Sequence, residues 1–184
     1  MAAEIAAHLD WPMHVLSVKK LPHPENPEFA IGAVGRTDVF IDDRHSDVPK
    51  EYLDREIVRI RQILQKRDEA YHQHPLDVAD KTVIIVDDGI ATGLTMRCAI
   101  KILRAGKPRS IIIAVPVAAA DAVRELHPLV DEFVVLHVPA TFGAVGEWYT
   151  NFSEVTDEEV LRTVSVCSSH GVSGQFLERA LFGR

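Results

Sequence analysis

The chain has 184 residues, 47% of them hydrophobic and 26% charged, with a formal net charge of -7. That balance suits one globular domain with a real core and argues against a general nucleic-acid-binding face. Two cysteines, Cys98 and Cys167, lie far apart in no metal spacing, which argues against a disulfide framework and fits a reducing compartment.

No apolar run approaches the ~20 residues that span a bilayer. The first residues, MAAEIAAHLDW, lack a basic start before an apolar stretch, so they do not read as a signal peptide, and a soluble cytoplasmic chain is expected. AAEIAAHL predicts a short helix with Ile5 and Leu9 on one side. MHVLSVKK predicts a strand ending at Lys19 and Lys20. Pro22, Pro24 and Pro27 forbid helix or central strand in LPHPENPEF, which reads as a surface excursion. FAIGAVGRTDVFID predicts two short strands about Gly35 and Arg36. Pro49 is suited to open a helix that runs to about His72. Leu53, Ile57, Ile60 and Leu64 form its apolar stripe. Arg55, Arg59, Arg61, Lys66 and Arg67 lie mostly off the stripe and read as a solvated face. His72 and His74 alternate without further ligands at metal spacing and read as loop residues.

Beyond them, TVIIVDD predicts a strand and GLTMRCAIKILRAG a helix stopped at Gly106, with Cys98 in the core. RSIIIAVPV, AAADAVRELHP and VDEFVVLHVP then predict strand, helix and strand. Continuous apolar runs at 83–86 and 111–115 suit strands buried on both faces. Strands alternating with helices from 82 to 138 predict an α/β fold: an open, mainly parallel twisted sheet flanked by helices, with a small hairpin hood. ATFGAVGEWYTNF is an aromatic loop. TDEEVLRTV carries Thr156 at a helix N-cap and Glu159 three residues on, a capping box. The whole reads as one domain over 1–184, with a core of about 2–160 and a C-terminal extension at 161–184.

The stretch VIIVDDGIATGLT, residues 83–95, holds the chemistry. Asp87 and Asp88 end a strand of a parallel sheet, where ligands collect. Gly89, Ile90, Ala91, Thr92, Gly93, Leu94 and Thr95 follow, with a helix starting near Gly93. Successive amides at a helix start form an anion cradle, and Thr92 and Thr95 add hydroxyls. Carboxylates beside a phosphate repel it unless something lies between. A ribose 5-phosphate meets both demands, with phosphate in the cradle and ring hydroxyls on the acids. A Walker A loop would need a lysine where Leu94 stands, and a dinucleotide fingerprint needs G-x-G-x-x-G, which is absent. A receiver domain would need a later strand-end aspartate, where Val117 and His137 stand instead. The plainer alternative is that the two aspartates only cap the helix.

VIIVDDGIATGLTM resembles the phosphoribosyl pyrophosphate-binding signature of type I phosphoribosyltransferases. KLPHPENPEFAIGAV, EYLDREIVRIRQ and AVGEWYTNFSEVTDEEV are similar to stretches of small stand-alone bacterial proteins known only as predicted phosphoribosyltransferases. The resemblance covers roughly residues 2–160. It implies that Asp87 and Asp88 bind the ribose hydroxyls, directly or beside Mg2+, and that residues 89–95 hold the 5-phosphate. It implies transfer of a phosphoribosyl group to a nitrogenous, nucleobase-like acceptor with release of pyrophosphate. Lys19 or Lys20 would stabilise the departing pyrophosphate, against the alternative of a solvated strand end. Phe142, Trp148 and Tyr149 lie where relatives cover the base, against the alternative that they pack the loop onto the core, and a homodimer is implied.

Two departures qualify the match. Ala91 stands where hypoxanthine-guanine enzymes carry an aspartate, so that subgroup's base is not expected here. The family's N-terminal strand and Pro-Arg-Gly-Gly-type loop would precede Met1. The tail offers a stand-in, with TVSVC as strand, SSHGVSG as loop and QFLERALFG as helix. The expectations are therefore an enzyme or, failing the pyrophosphate loop, a module that binds a phosphoribosylated ligand without turnover.

Overall fold

The computed structural model describes residues 1–27, 29–45, 47–71, 76–167 and 175–178. The β-branched run at 82–86 forms β5 (Thr82–Val86), the centre of the molecule. Its alternate side chains divide between two cores. Val83 and Ile85 face a cluster with Met96, Ala99, Leu103, Ala122 and Leu126, and Ile84 and Val86 face one with Ala2, Ala6, Met13, Tyr71 and Val164. A strand covered on both faces has no reason to alternate polar with apolar residues, which explains the unbroken run. Each fully buried Ile or Leu contributes roughly 1.5–3 kcal/mol of apolar burial.

The main sheet is parallel throughout and combines β1 (Met13–Val15), β8 (Gln175–Glu178), β5, β6 (Ser110–Val117) and β7 (Glu132–His137) in that order. Helices α3 (Leu94–Ala105) and α4 (Ala120–Leu126) cover one face, and α1 (Ala2–Leu9) and α5 (Asp157–Cys167) cover part of the other. The α/β architecture is thus the one expected.

A second, antiparallel sheet forms the hood, from β2 (Val18–Pro22), β3 (Ala30–Gly35) and β4 (Val39–Ile41). Pro22 is tolerated because β2 is an edge strand with a bulge at Leu21/Pro22. Helix α2 (Lys50–Ala70) packs on the hood through Ile60 and Leu64, both fully buried, with Leu53 and Ile57 partly buried beside them.

Several local expectations need correction. The strand read from MHVLSVKK is two strands in different sheets, β1 and β2. The chain breaks between them where Ser17 Oγ donates to Asp68 Oδ1 at 2.5 Å. In α1 the buried stripe is Ala2 and Ala6, while Leu9 is exposed. The helix stops at Gly106 as expected, but Gly106 has φ -80, and the left-handed residue is Lys107. Space at 106 is tight, since a Cβ there would lie 2.5 Å from Val78 Cγ2, so that valine would have to shift. The α2 charges are not simply solvated. Arg59 pairs with Glu56, Arg61 donates to the Thr37 carbonyl, and Arg36 on the hood side reaches Asp68.

The tail reverses its expected elements. TVSVC belongs to α5, and the strand is 175–178 rather than 163–167. Thr156 caps α5 as predicted. Its Oγ1 accepts from the Glu159 amide at 3.3 Å, and Glu159 Oε2 accepts from the Thr156 amide at 2.8 Å. Val160 and Val164 then fall one turn apart and pack against the α1 side. The loop read from SSHGVSG, the last residues 179–184, and His72 and His74 lie outside the described residues.

Candidate functional site

The site is built at the carboxyl edge of the main sheet, where β5, β6 and β7 end. Chain leaving β5 enters Asp87, which is 4% exposed and accepts the Asp88 amide on Oδ1 at 3.0 Å. Asp88 is half-buried, yet its Oδ1 is shut off from solvent with no hydrogen-bond partner among the described residues. A buried carboxylate oxygen without a donor costs more than the ~1–3 kcal/mol of a neutral group. An incoming hydroxyl or cation would offset that cost.

The next residue has no room for a side chain. A Cβ on Gly89 would lie 2.8 Å from Val145 Cγ1, 2.9 Å from Val117 Cγ1 and 3.0 Å from the Val117 carbonyl oxygen. Ile90 then bridges to the end of β6. Its amide donates to the Val117 carbonyl at 3.0 Å, and its carbonyl accepts the Ala119 amide at 2.8 Å. These bonds pin the middle of the loop and leave its tip, Ala91 and Thr92, exposed. Gly93 takes φ +73, a left-handed turn that favours glycine, and caps α3 without a side-chain hydrogen bond. Among the amides from Gly89 to Gly93, only that of Ile90 donates to a described protein acceptor. The first amides of α3 add orphan donors beside them, at the positive end of the helix dipole. Thr95 sits in that first turn, buried.

The aromatic loop closes against this turn. Tyr149 Oη donates to the Asp88 carbonyl at 2.5 Å, and its ring lies 5.2 Å from that of Phe152. Trp148 is 41% exposed and tilts over His137 at 4.9 Å between ring centroids. Phe142 is half-buried. His137 ends β7 and was not singled out from the sequence, although the rule that ligands gather at strand ends points to it.

The lysines occupy the hood. Lys19 lies on β2 among Arg67, Arg59 and Glu56 of α2; burial, then the two guanidiniums, lower its pKa below the ordinary lysine value, against the pull of Glu56. Lys20 is exposed on the same strand, paired with Ala33. The acidic pair, residues 89–95 and Tyr149 form one contiguous group through the contacts above, and Trp148 follows in the same loop. Lys19 is tied instead to the α2 face. A separate cavity of about 260 Å³ at the start of α5 is lined by Arg67, Glu154, Val155, Thr156 and Asp157, none of which belongs to this turn.

All three tyrosines titrate late. Burial is the largest cause for Tyr52, Tyr71 and Tyr149, and the Asp88 and Asp87 charges help push Tyr149 up to about 12. A phenol whose folded pKa exceeds its unfolded value of 10.0 stabilises the fold fully below that pH. The contribution is lost as pH rises through about 12 for Tyr149. Phenolate absorbance of the native chain should therefore lag behind that of the urea-unfolded chain. Coincident titration curves would contradict this burial.

A family model described as a phosphoribosyl transferase domain matches residues 1–145. A Mycobacterium tuberculosis protein named "Putative phosphoribosyl transferase Rv0571c" is 36% identical over 167 residues, covering 88% of this chain and 38% of that protein. The chain therefore spans well under half the length of that relative. The bifunctional protein PyrR of Clostridium kluyveri is 42% identical over 69 residues, 37% of each chain. The crystal structure of TT1426 from Thermus thermophilus is similar with a TM-score of 0.73 and 37% identity, covering 91% of this chain and 82% of that one.

Proposed function

This chain belongs to the phosphoribosyl transferase domain family, and on that premise we propose that it binds phosphoribosyl pyrophosphate and transfers the phosphoribosyl group to a nitrogenous acceptor. The observation that carries the reading is the buried, partnerless Asp88 Oδ1 beside a turn whose exposed tip offers open amides. Asp87 and Asp88 accept from the ribose hydroxyls. The amides of 91–95, with Thr92 and Thr95, hold the 5-phosphate. The same carboxylates suit Mg2+, which prefers oxygen ligands and keeps several waters. Among the described residues no group of three or more His, Cys, Asp or Glu comes together, so such an ion would rest on this pair and on substrate oxygens. Bound there, it would neutralise charge on the pyrophosphate.

The transfer asks little covalent chemistry of the protein. A nitrogen lone pair attacks the anomeric carbon while the bond to pyrophosphate breaks, and catalysis lies in positioning and charge stabilisation. Lys19 or Lys20 would serve the departing pyrophosphate. Trp148 and Phe142 would cover a nucleobase-like acceptor, with exposed Trp148 beside His137 as the stacking surface. The family resemblance further supports a homodimer, which sedimentation velocity would measure. No helix among the described residues is long and apolar enough to cross a membrane.

Calorimetry against phosphoribosyl pyrophosphate, ribose 5-phosphate and nucleoside monophosphates tests binding. Pyrophosphate release over a panel of bases tests transfer. The expected result is binding of all phosphoribosyl ligands with Mg2+ and release with at least one base. Binding with no release for any base would replace the enzyme by a ligand-binding module, and no binding would end both.

A further inference from the structure

The bond from Tyr149 lands on a backbone carbonyl, that of Asp88. The Asp88 carbonyl and the Gly89 amide belong to one rigid, trans peptide plane, so the direction of one sets the direction of the other. Gly89 carries no side chain to brake rotation of that plane. Its Cα is walled instead by Val117 and Val145, and the carbonyl end is held by the Tyr149 phenol at 2.5 Å. That peptide lies between the acidic pair and the amide-lined turn.

We propose that Tyr149 is a positioning residue, whose phenol fixes the 88–89 peptide and thereby couples the aromatic loop to the sugar-phosphate site. This deepens the reading above and rests on it for the identity of the ligand. Its role is to hold protein groups rather than to meet the reacting atoms. It acts through Asp88 on one side and through its neighbour Trp148 on the other. Filling the turn would thus hold the loop closed over the acceptor, and thermodynamic reciprocity requires the converse.

Tyr149→Phe in the full chain tests it, since the ring stays and only the donor goes. Two readouts apply. The Gly89 amide, followed by NMR in the absence of ligand, should shift and exchange faster with solvent. Ribose 5-phosphate with Mg2+ should bind roughly three- to tenfold more weakly, the loss of one net hydrogen bond. Tyr71→Phe is the control, because it removes another buried phenol bond, 2.6 Å to Asp157. It should lower the Tm while leaving both readouts unchanged.

An unchanged Gly89 amide in Tyr149→Phe would overturn the proposal whatever happens to Tm. So would wild-type affinity for ribose 5-phosphate in that variant. If the wild-type chain binds no ribose 5-phosphate at all, the ligand reading falls by itself, and the Gly89 signal still decides whether Tyr149 positions the peptide.

Discussion

Asp88→Asn should weaken binding of ribose 5-phosphate with Mg2+ by roughly 10- to 150-fold, the range for losing a hydrogen bond to a charged group. The amide keeps the shape of the carboxylate but halves its acceptors and removes the charge. Asp88 Oδ1 already lacks a protein partner, so the folded chain loses little. The unliganded variant should melt at the wild-type temperature or above it, the usual relation between a strained site and stability. Lys20→Ala, which removes an exposed cation, should cost less than about fivefold, since exposed charges contribute at most about 1 kcal/mol. Calorimetry on the three proteins and thermal melts without ligand measure both effects. Equal affinity for wild type and Asp88→Asn would remove the acidic pair from the binding site.

Gly32→Ala should be the most destabilising conservative change in the hood. Gly32 pairs with Ile41 across β3 and β4. A Cβ there would stand 2.2 Å from the Phe40 carbonyl oxygen and 3.1 Å from the Ile41 Cα. Both obstacles are backbone, so no rotamer change relieves them. Either the strands separate or β3 twists away. The cost should reach about 2–3 kcal/mol, the upper part of the overpacking range. For a chain of this size that lowers Tm by roughly 4 to 12 °C. Gly35→Ala offers a contrast. Its Cβ would meet Ile102 Cδ1 at 2.2 Å, the end of a side chain that can rotate. It should be the milder of the two, and a harsher Gly35→Ala would show that β3 and β4 yield more easily than the core.

The backbone frame of the candidate site was legible because every local signal agreed there. The run Val83–Val86, the acids, the glycines and the amphipathic 94–105 segment all point to strand, turn and helix, and the structure has each where expected. The tail was misread because its signals conflict. TVSVC is rich in β-branched residues, but the Thr156–Glu159 box starts a helix that runs through it. QFLERALFG is made largely of helix formers, yet the backbone at 175–178 pairs with both β1 and β5. Pairing across the fold outweighs intrinsic preference, and no local window contains that information. The role of Tyr149 was hidden for a similar reason. Its acceptor, Asp88, is 61 residues away, so the aromatic loop showed its composition but not which atom it holds.

The position of β8 has a consequence for how the chain is made. Met13 and Phe176 are neighbours in the sheet, as are Phe176 and Ile84. A ribosome adding about 5–20 residues per second would deliver that inserted strand roughly ten to thirty seconds after β1 emerges. Until then β1 and β5 each present an unsatisfied backbone edge in a half-built layer, the kind of surface that recruits other nascent chains. Pairing so remote in sequence is also slow to nucleate. Yield in a cell should therefore depend on protection of the growing polypeptide, more than the final stability of the finished molecule would suggest.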